Sequence, residues 1–229
     1  MMLHRAISRM ASLPLIALVV PGLLGAQGGG KVAGNVAILE KSGKRSADLA
    51  HAVVWLEGRN APAARPARRD IQTETKQFLP RVLVVAVGST VGFPNHDPFN
   101  HNVFSLSDEA AFDLGLYGRG ETRVTDVRRA GIVRVYCNVH PRMSAFLVVR
   151  DNALYTQPTA DGSWEVSDVP PGEYTLRVWH ERGGESSRVV TVPSGGLDGV
   201  SLQLDARGYS YKPHLNKFGK PYDPEGRRY

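Results

Sequence analysis

Residues 136–143 read Tyr136-Cys137-Asn138-Val139-His140-Pro141-Arg142-Met143. A thiol, an imidazole and a thioether stand here within one short loop. The loop follows an alternating run in which Val133, Val135 and Cys137 share one face and Ile132, Arg134 and Tyr136 the other. Cys137 is therefore expected to point inward at the end of a strand, and a loop starting there folds His140 and Met143 back toward the sulfur.

Cys137 is the single cysteine in 229 residues. The chain also begins like an exported protein: Arg5 and Arg9 precede an apolar run over residues 13–24, and the small residues Gly25 and Ala26 follow. The run is shorter than the roughly 20 apolar residues a spanning helix needs, and Pro21 and Gly22 break it. Cleavage is expected after Ala26, leaving no transmembrane segment in the mature protein. A lone thiol in oxidising surroundings forms no internal disulfide and needs another reason to be there. The plain alternative is an inert Cys packed as a small hydrophobe.

Soft thiolate and thioether ligands with imidazole select copper over hard cations, and two His with one Cys plus a distant axial Met is the type 1 copper pattern. The loop offers one imidazole. The second candidate is His101, in Phe99-Asn100-His101-Asn102-Val103-Phe104 at the start of a strand; His96 competes but lies in the turn 94–98. Zinc is the rival metal, although Met is a poor zinc ligand and structural zinc sites usually carry more Cys. His96, His180 and His214 read as ordinary surface or core histidines.

The rest of the chain reads as short strands, so the class is all-β. Apolar runs at 83–87, 90–93, 102–106, 121–127, 131–136 and 145–149 are separated by turn signals such as Gly88-Ser89 and Ala130-Gly131, the spacing of a β-sandwich. Further strands are expected at 163–166, 174–179, 187–192 and 199–204, and two more at 32–38 and 52–56. Residues 58–69, rich in Ala, Pro and Arg, read as a linker or exposed loop. Residues 207–229 form a basic tail, read as a strap over the body or an interaction arm.

On these residues the chain resembles the blue-copper (cupredoxin) family, especially its amicyanin-like and plastocyanin-like members. The likeness covers 70–150. It is carried by Phe78-Leu79-Pro80 with Val85-Ala86-Val87-Gly88-Ser89-Thr90-Val91, by Phe93-Pro94-Asn95-His96-Asp97 with His101-Asn102-Val103, and by the Cys-x-x-His-Pro-x-Met spacing from Cys137 to Met143, which is similar to that of amicyanin. The resemblance implies a cupredoxin Greek-key β-sandwich and one type 1 copper ion. It implies His101, Cys137 and His140 as strong ligands and Met143 as a weak axial one. Asn102, outside the ligand set, would hydrogen-bond near the thiolate and tie the two ligand segments together. His140, with Pro141 beside it, would be the electron port toward a redox protein partner such as a cytochrome or a dehydrogenase. The copper so held is coordinatively closed, which speaks against an enzyme.

Asp161-Gly162-Ser163-Trp164-Glu165-Val166, followed by Val169-Pro170-Pro171-Gly172-Glu173-Tyr174-Thr175-Leu176, resembles the carboxypeptidase-regulatory-like (transthyretin-like) β-sandwich. That family's opening, Val-x-Gly-x-Val and a second short strand, stands far away at Val32, Gly34, Val36 and 52–56. The expectation is a discontinuous sandwich over 29–58 and 151–206 with the copper domain inserted. In the alternative, the first two strands extend the copper domain's sheet. Trp164, Tyr174 and Trp179 read as core.

Charge narrows the function classes. The formal net charge is +6, and loss of Arg5 and Arg9 lowers it by two. The remainder sits in the tail, where Arg207, Lys212, Lys217, Lys220, Arg227 and Arg228 face only Asp223 and Glu225. The body, 27–206, is neutral, which argues against a nucleic-acid binder. The expected function is a periplasmic or otherwise extracytoplasmic carrier of single electrons. The alternatives are a copper carrier or sensor without rapid electron transfer, and an adhesion or scaffold module.

Overall fold

The computed structural model describes residues 29–222; the export segment expected at 1–26, and the end of the tail, lie outside them. In chain order the strands are β1 (Gly30–Leu39), β2 (Val53–Glu57), β3 (Arg68–Asp70), β4 (Gln72–Glu74), β5 (Gln77–Leu79), β6 (Val82–Ala86), β7 (Thr90–Pro94), β8 (His101–Ser107), β9 (Ala110–Tyr117), β10 (Thr122–Asp126), β11 (Gly131–Cys137), β12 (Ser144–Arg150), β13 (Tyr155–Thr156), β14 (Ser163–Val169), β15 (Gly172–His180), β16 (Gly184–Val192) and β17 (Leu197–Asp205). One 3-10 turn, Leu49–His51, interrupts them. The fold is all-β. No helix among the described residues is long and apolar enough to cross a membrane.

The strands fall into sheets ordered β14-β1-β17, β13-β2-β15-β16, β6-β12-β11-β8-β9 and β10-β7-β3, with β4-β5 as a separate hairpin. Strands β3 to β12 share no sheet with any strand outside that stretch. β1 instead pairs antiparallel with β14 and parallel with β17, and β2 pairs with β13 and β15.

Side-chain alternation then sorts each strand's residues between cores. Val36, Val54, Trp164, Leu176 and Val178 belong to one cluster, between β14-β1-β17 and β13-β2-β15-β16. Phe93, Val133, Val135, Cys137, Met143 and Leu147 belong to a second, between β6-β12-β11-β8-β9 and β10-β7-β3. The other faces of the two middle sheets meet through Val53, Trp55, Val82, Phe146, Val148 and Trp179. Four sheets are thus stacked, and β2 and β12 lie in the middle layers. This is why both read as unbroken apolar runs, since a strand covered on both faces has no solvent side to mark with polar residues. β14 lies in an outer layer and alternates accordingly.

Gly34 explains the Val-x-Gly-x-Val opening. A Cβ there would run into the backbone carbonyl of Val200 on the neighbouring β17. Ion pairs stitch the central junction: Arg81 forks onto Glu181 with two contacts of 2.6 Å, and Glu57 takes both Arg150 and Arg177.

Candidate metal centre

β11 ends on Cys137 and β12 begins on Ser144, so the loop between them spans the quoted residues. It closes on itself: the Met143 N–H donates to the His140 carbonyl at 3.0 Å and the Cys137 N–H to the Met143 carbonyl at 3.3 Å. β8 pairs with β11, with Tyr136 opposite Phe104 and Cys137 opposite Val103. The Asn138 N–H donates to the Asn102 carbonyl at 2.8 Å and extends that ladder by one step. The start of β8 therefore lies beside the end of β11, and His101 arrives at the sulfur because register places it there.

The Cys137 Sγ is 3.6 Å from His101 Nδ1 and 3.6 Å from His140 Nδ1. The two imidazole centroids are 4.9 Å apart, and the three donor atoms all lie within 4.8 Å of one another. His101 and Cys137 have no exposed surface, and His140 is part-buried. Phe99 leans against both rings, at 5.4 Å from His101 and 5.2 Å from His140, with the Lys76 ammonium over its face.

Electrostatics prepare these groups for a cation. Burial pushes the Cys137 thiol up, while backbone N–H groups of Asn102, Val139 and His140 aimed at the sulfur favour the thiolate. Burial also holds His101 below its ordinary value against the pull of Asp97. His140 is lowered to about 4, by burial first and then by His101 and Lys76. Both imidazoles are thus neutral in the copper-free chain at neutral pH, with a lone pair free for a ligand bond.

Asp97, which the sequence reading passed over as a ligand partner, sets the tautomer. Its Oδ2 lies 2.9 Å from His101 Nε2. Burial pushes the carboxyl up, but hydrogen bonds from the Lys76 N–H, His101 and the Thr75 N–H outweigh it and hold Asp97 ionised. An ionised carboxylate accepts only, so His101 Nε2 carries the proton and Nδ1 presents its lone pair to the sulfur side. Thr75 and Lys76 reach Asp97 because they form the left-handed turn of the β4-β5 hairpin, at φ 52° and 57°. Asn95 extends the chain of contacts, accepting the Asp97 N–H at 2.9 Å. A turn residue four positions before a histidine carries no sequence signal of this role.

The other expected residues are placed as follows. Met143 is buried in the same core cluster as Cys137. Asn102 acts on the loop through its backbone, which bonds the sulfur and Asn138, while its side chain donates to Asp113 Oδ1 at 2.5 Å and the Gly115 carbonyl at 3.0 Å. His96 is exposed and stands outside the group. A second cluster, Asp48, His51 and Glu181, brings donor atoms equally close. Its carboxylates are already held by guanidinium groups, Asp48 by Arg182 and Glu181 by Arg81, which makes it an ion-pair network.

A buried thiol, two neutral imidazoles aimed at it and sulfur-directed N–H groups form a donor set that fits a soft, thiophilic metal ion and leaves a hard cation poorly served.

No family model and no curated protein matches the chain. Solved structures do. A Cu-containing nitrite reductase (NirK) from Thermus scotoductus SA-01 is 25% identical over 43% of this chain, with a TM-score of 0.36, and this chain spans only 26% of it. A reduced amicyanin mutant is 20% identical over 42% of this chain and 98% of its own, with a TM-score of 0.35. A purple cupredoxin from Nitrosopumilus maritimus is 23% identical over 37% of this chain and 99% of its own, with a TM-score of 0.32.

Proposed function

We propose that this chain is an extracytoplasmic type 1 copper protein that carries single electrons between redox proteins. The observation that carries the proposal is the meeting of His101 Nδ1 and His140 Nδ1 at 3.6 Å from a buried Cys137 sulfur. His101, Cys137 and His140 would hold one copper ion, with Met143 as the weak axial ligand. Bound there, copper would supply a one-electron change between its cuprous and cupric states. Asp97 keeps the proton on His101 Nε2, register keeps His101 beside the sulfur, and Phe99 covers the two rings against water. A shell that is rigid without the ion changes little when its charge does, which suits electron transfer over substrate chemistry. His140, the least buried of the three, is the proposed electron port toward a cytochrome or dehydrogenase.

The strand pairings support a two-unit reading, with 70–150 as the copper unit and 29–58 with 151–206 as a transthyretin-like sandwich that receives it. Residues 1–26 would direct export.

Titrating the copper-free chain with one equivalent of cupric ion is the test. An intense visible Cys-to-copper charge-transfer band is expected. A colourless adduct would point instead to a carrier or sensor, and no uptake to a scaffold.

A further inference from the structure

We propose that the C-terminal strap positions the ligand loop, with Tyr222 and Lys217 as the tail residues that hold the backbone around Cys137 in place. The effect on copper rests on the function proposed above; the effect on the loop does not.

After β17 the chain runs back across the copper unit. The Tyr222 hydroxyl donates to the Cys137 carbonyl at 2.7 Å. The Lys217 N–H donates to Asn138 Oδ1 at 2.9 Å, so the two residues at the junction of β11 and the loop are each gripped by the tail. The Lys217 ammonium reaches Asp113 Oδ2 at 2.7 Å. The other oxygen of that carboxylate takes the Asn102 side chain, so the strap also braces the segment that follows His101. Ring contacts add a broader grip. His214 stacks on Tyr136 at 4.1 Å and 16° and packs against Phe104, and Tyr222 meets His214 edge-on at 5.2 Å.

The tail keeps its own shape where it makes these contacts. Asn216 is buried, and its Oδ1 accepts from the N–H groups of Phe218 and Lys220, closing a tight turn that presents Lys217 to Asn138. Phe104 and Tyr136 project from the face of β8 and β11 opposite Cys137. The strap therefore pins the sulfur-bearing strand from behind, and none of its described residues joins the group around Cys137. Because Asn102, Cys137 and Asn138 belong to one hydrogen-bonded junction, a shift of the strap moves the N–H groups aimed at the sulfur, which tune a metal–thiolate bond.

The test is Tyr222→Phe, which keeps the ring and removes the hydroxyl that bonds the Cys137 carbonyl and lies 3.4 Å from His214 Nδ1, with Tyr211→Phe as a control elsewhere in the tail. In the copper-free chain, amide exchange at Cys137, Asn138 and Met143 is expected to quicken about fivefold in Y222F, the effect of one ordinary hydrogen bond on a local opening. Exchange in the β12 interior should be unchanged in Y222F, and exchange everywhere unchanged in Y211F. In the copper-loaded chain, Y222F should shift the charge-transfer band or the reduction potential, which a strap that merely adds stability would leave alone. Unaltered loop exchange in Y222F overturns the proposal. So does faster exchange spread evenly over β12. If the natural chain takes up no copper, the function fails while the exchange measurement still decides the strap.

Discussion

Between the β14-β1-β17 and β13-β2-β15-β16 sheets, the core is built from Val, Leu, Ile and Ala with Trp164 and Tyr174, and it holds no cysteine or methionine. Between the β6-β12-β11-β8-β9 and β10-β7-β3 sheets, the core encloses Cys137 and Met143. A linked set of buried polar residues adjoins that second core: Thr73 to Asn95, Asn95 to Asp97, Asp97 to His101. Buried polar groups destabilise a fold unless each finds a partner. Ser46, Asn152 and His180 are buried in the other unit as well, but only beside Cys137 does such a set of polar groups meet a buried thiol.

The contrast breaks most sharply at Cys137 and Leu176. C137A should abolish the charge-transfer band completely with little change in folding, because the volume removed is small. L176A should do the reverse, lowering stability by about 2–5 kcal/mol in a urea titration while each folded molecule keeps an unchanged spectrum. A band that survives in C137A, or shifts in L176A, erases the division of labour.

Asp97→Asn probes the polar set itself. With the charge lost, His101 is no longer held in one tautomer, and copper affinity should fall about 10–100-fold, read by competition with a chelator. Undiminished affinity would remove Asp97 from the site.

Arg81→Met probes the seam between the two cores by leaving Glu181 without its partner. A loss of about 1–3 kcal/mol is expected, with the two units melting less cooperatively than in the natural chain; an unchanged melt would show that the apolar contact of Trp179 with Phe146 suffices.

A further test is pH. His101, His140, His180 and His214 are all held below the ordinary 6.5, with burial as the largest cause and His140 at about 4. As pH falls from 6.5 toward 4, the unfolded chain binds protons at these positions that the folded chain refuses, so the copper-free protein loses stability across that window. Urea midpoints measured on either side of it should differ; equal midpoints would contradict the shifts.

Strands buried on one face or two were legible because alternation and unbroken apolar runs are local patterns. β9 was not. Gly115, at φ 71°, and the exposed Leu116 break its alternation, and its partner strand β8 changes register between Asn102 and Phe104. The short strands β3, β4 and β5 were equally invisible, because three residues are too few to show a period.

The sequence alone determined the all-β class, the inward aim of Cys137 and the closeness of His140 and Met143 to it, since strand periodicity and a short loop act within a few residues. Only the tertiary structure decided that Asp97 orients His101, that the strap grips Cys137 and Asn138, and that four sheets stack. Those contacts join positions far apart in the chain, and what selects them is register, burial and hydrogen-bond satisfaction in three dimensions.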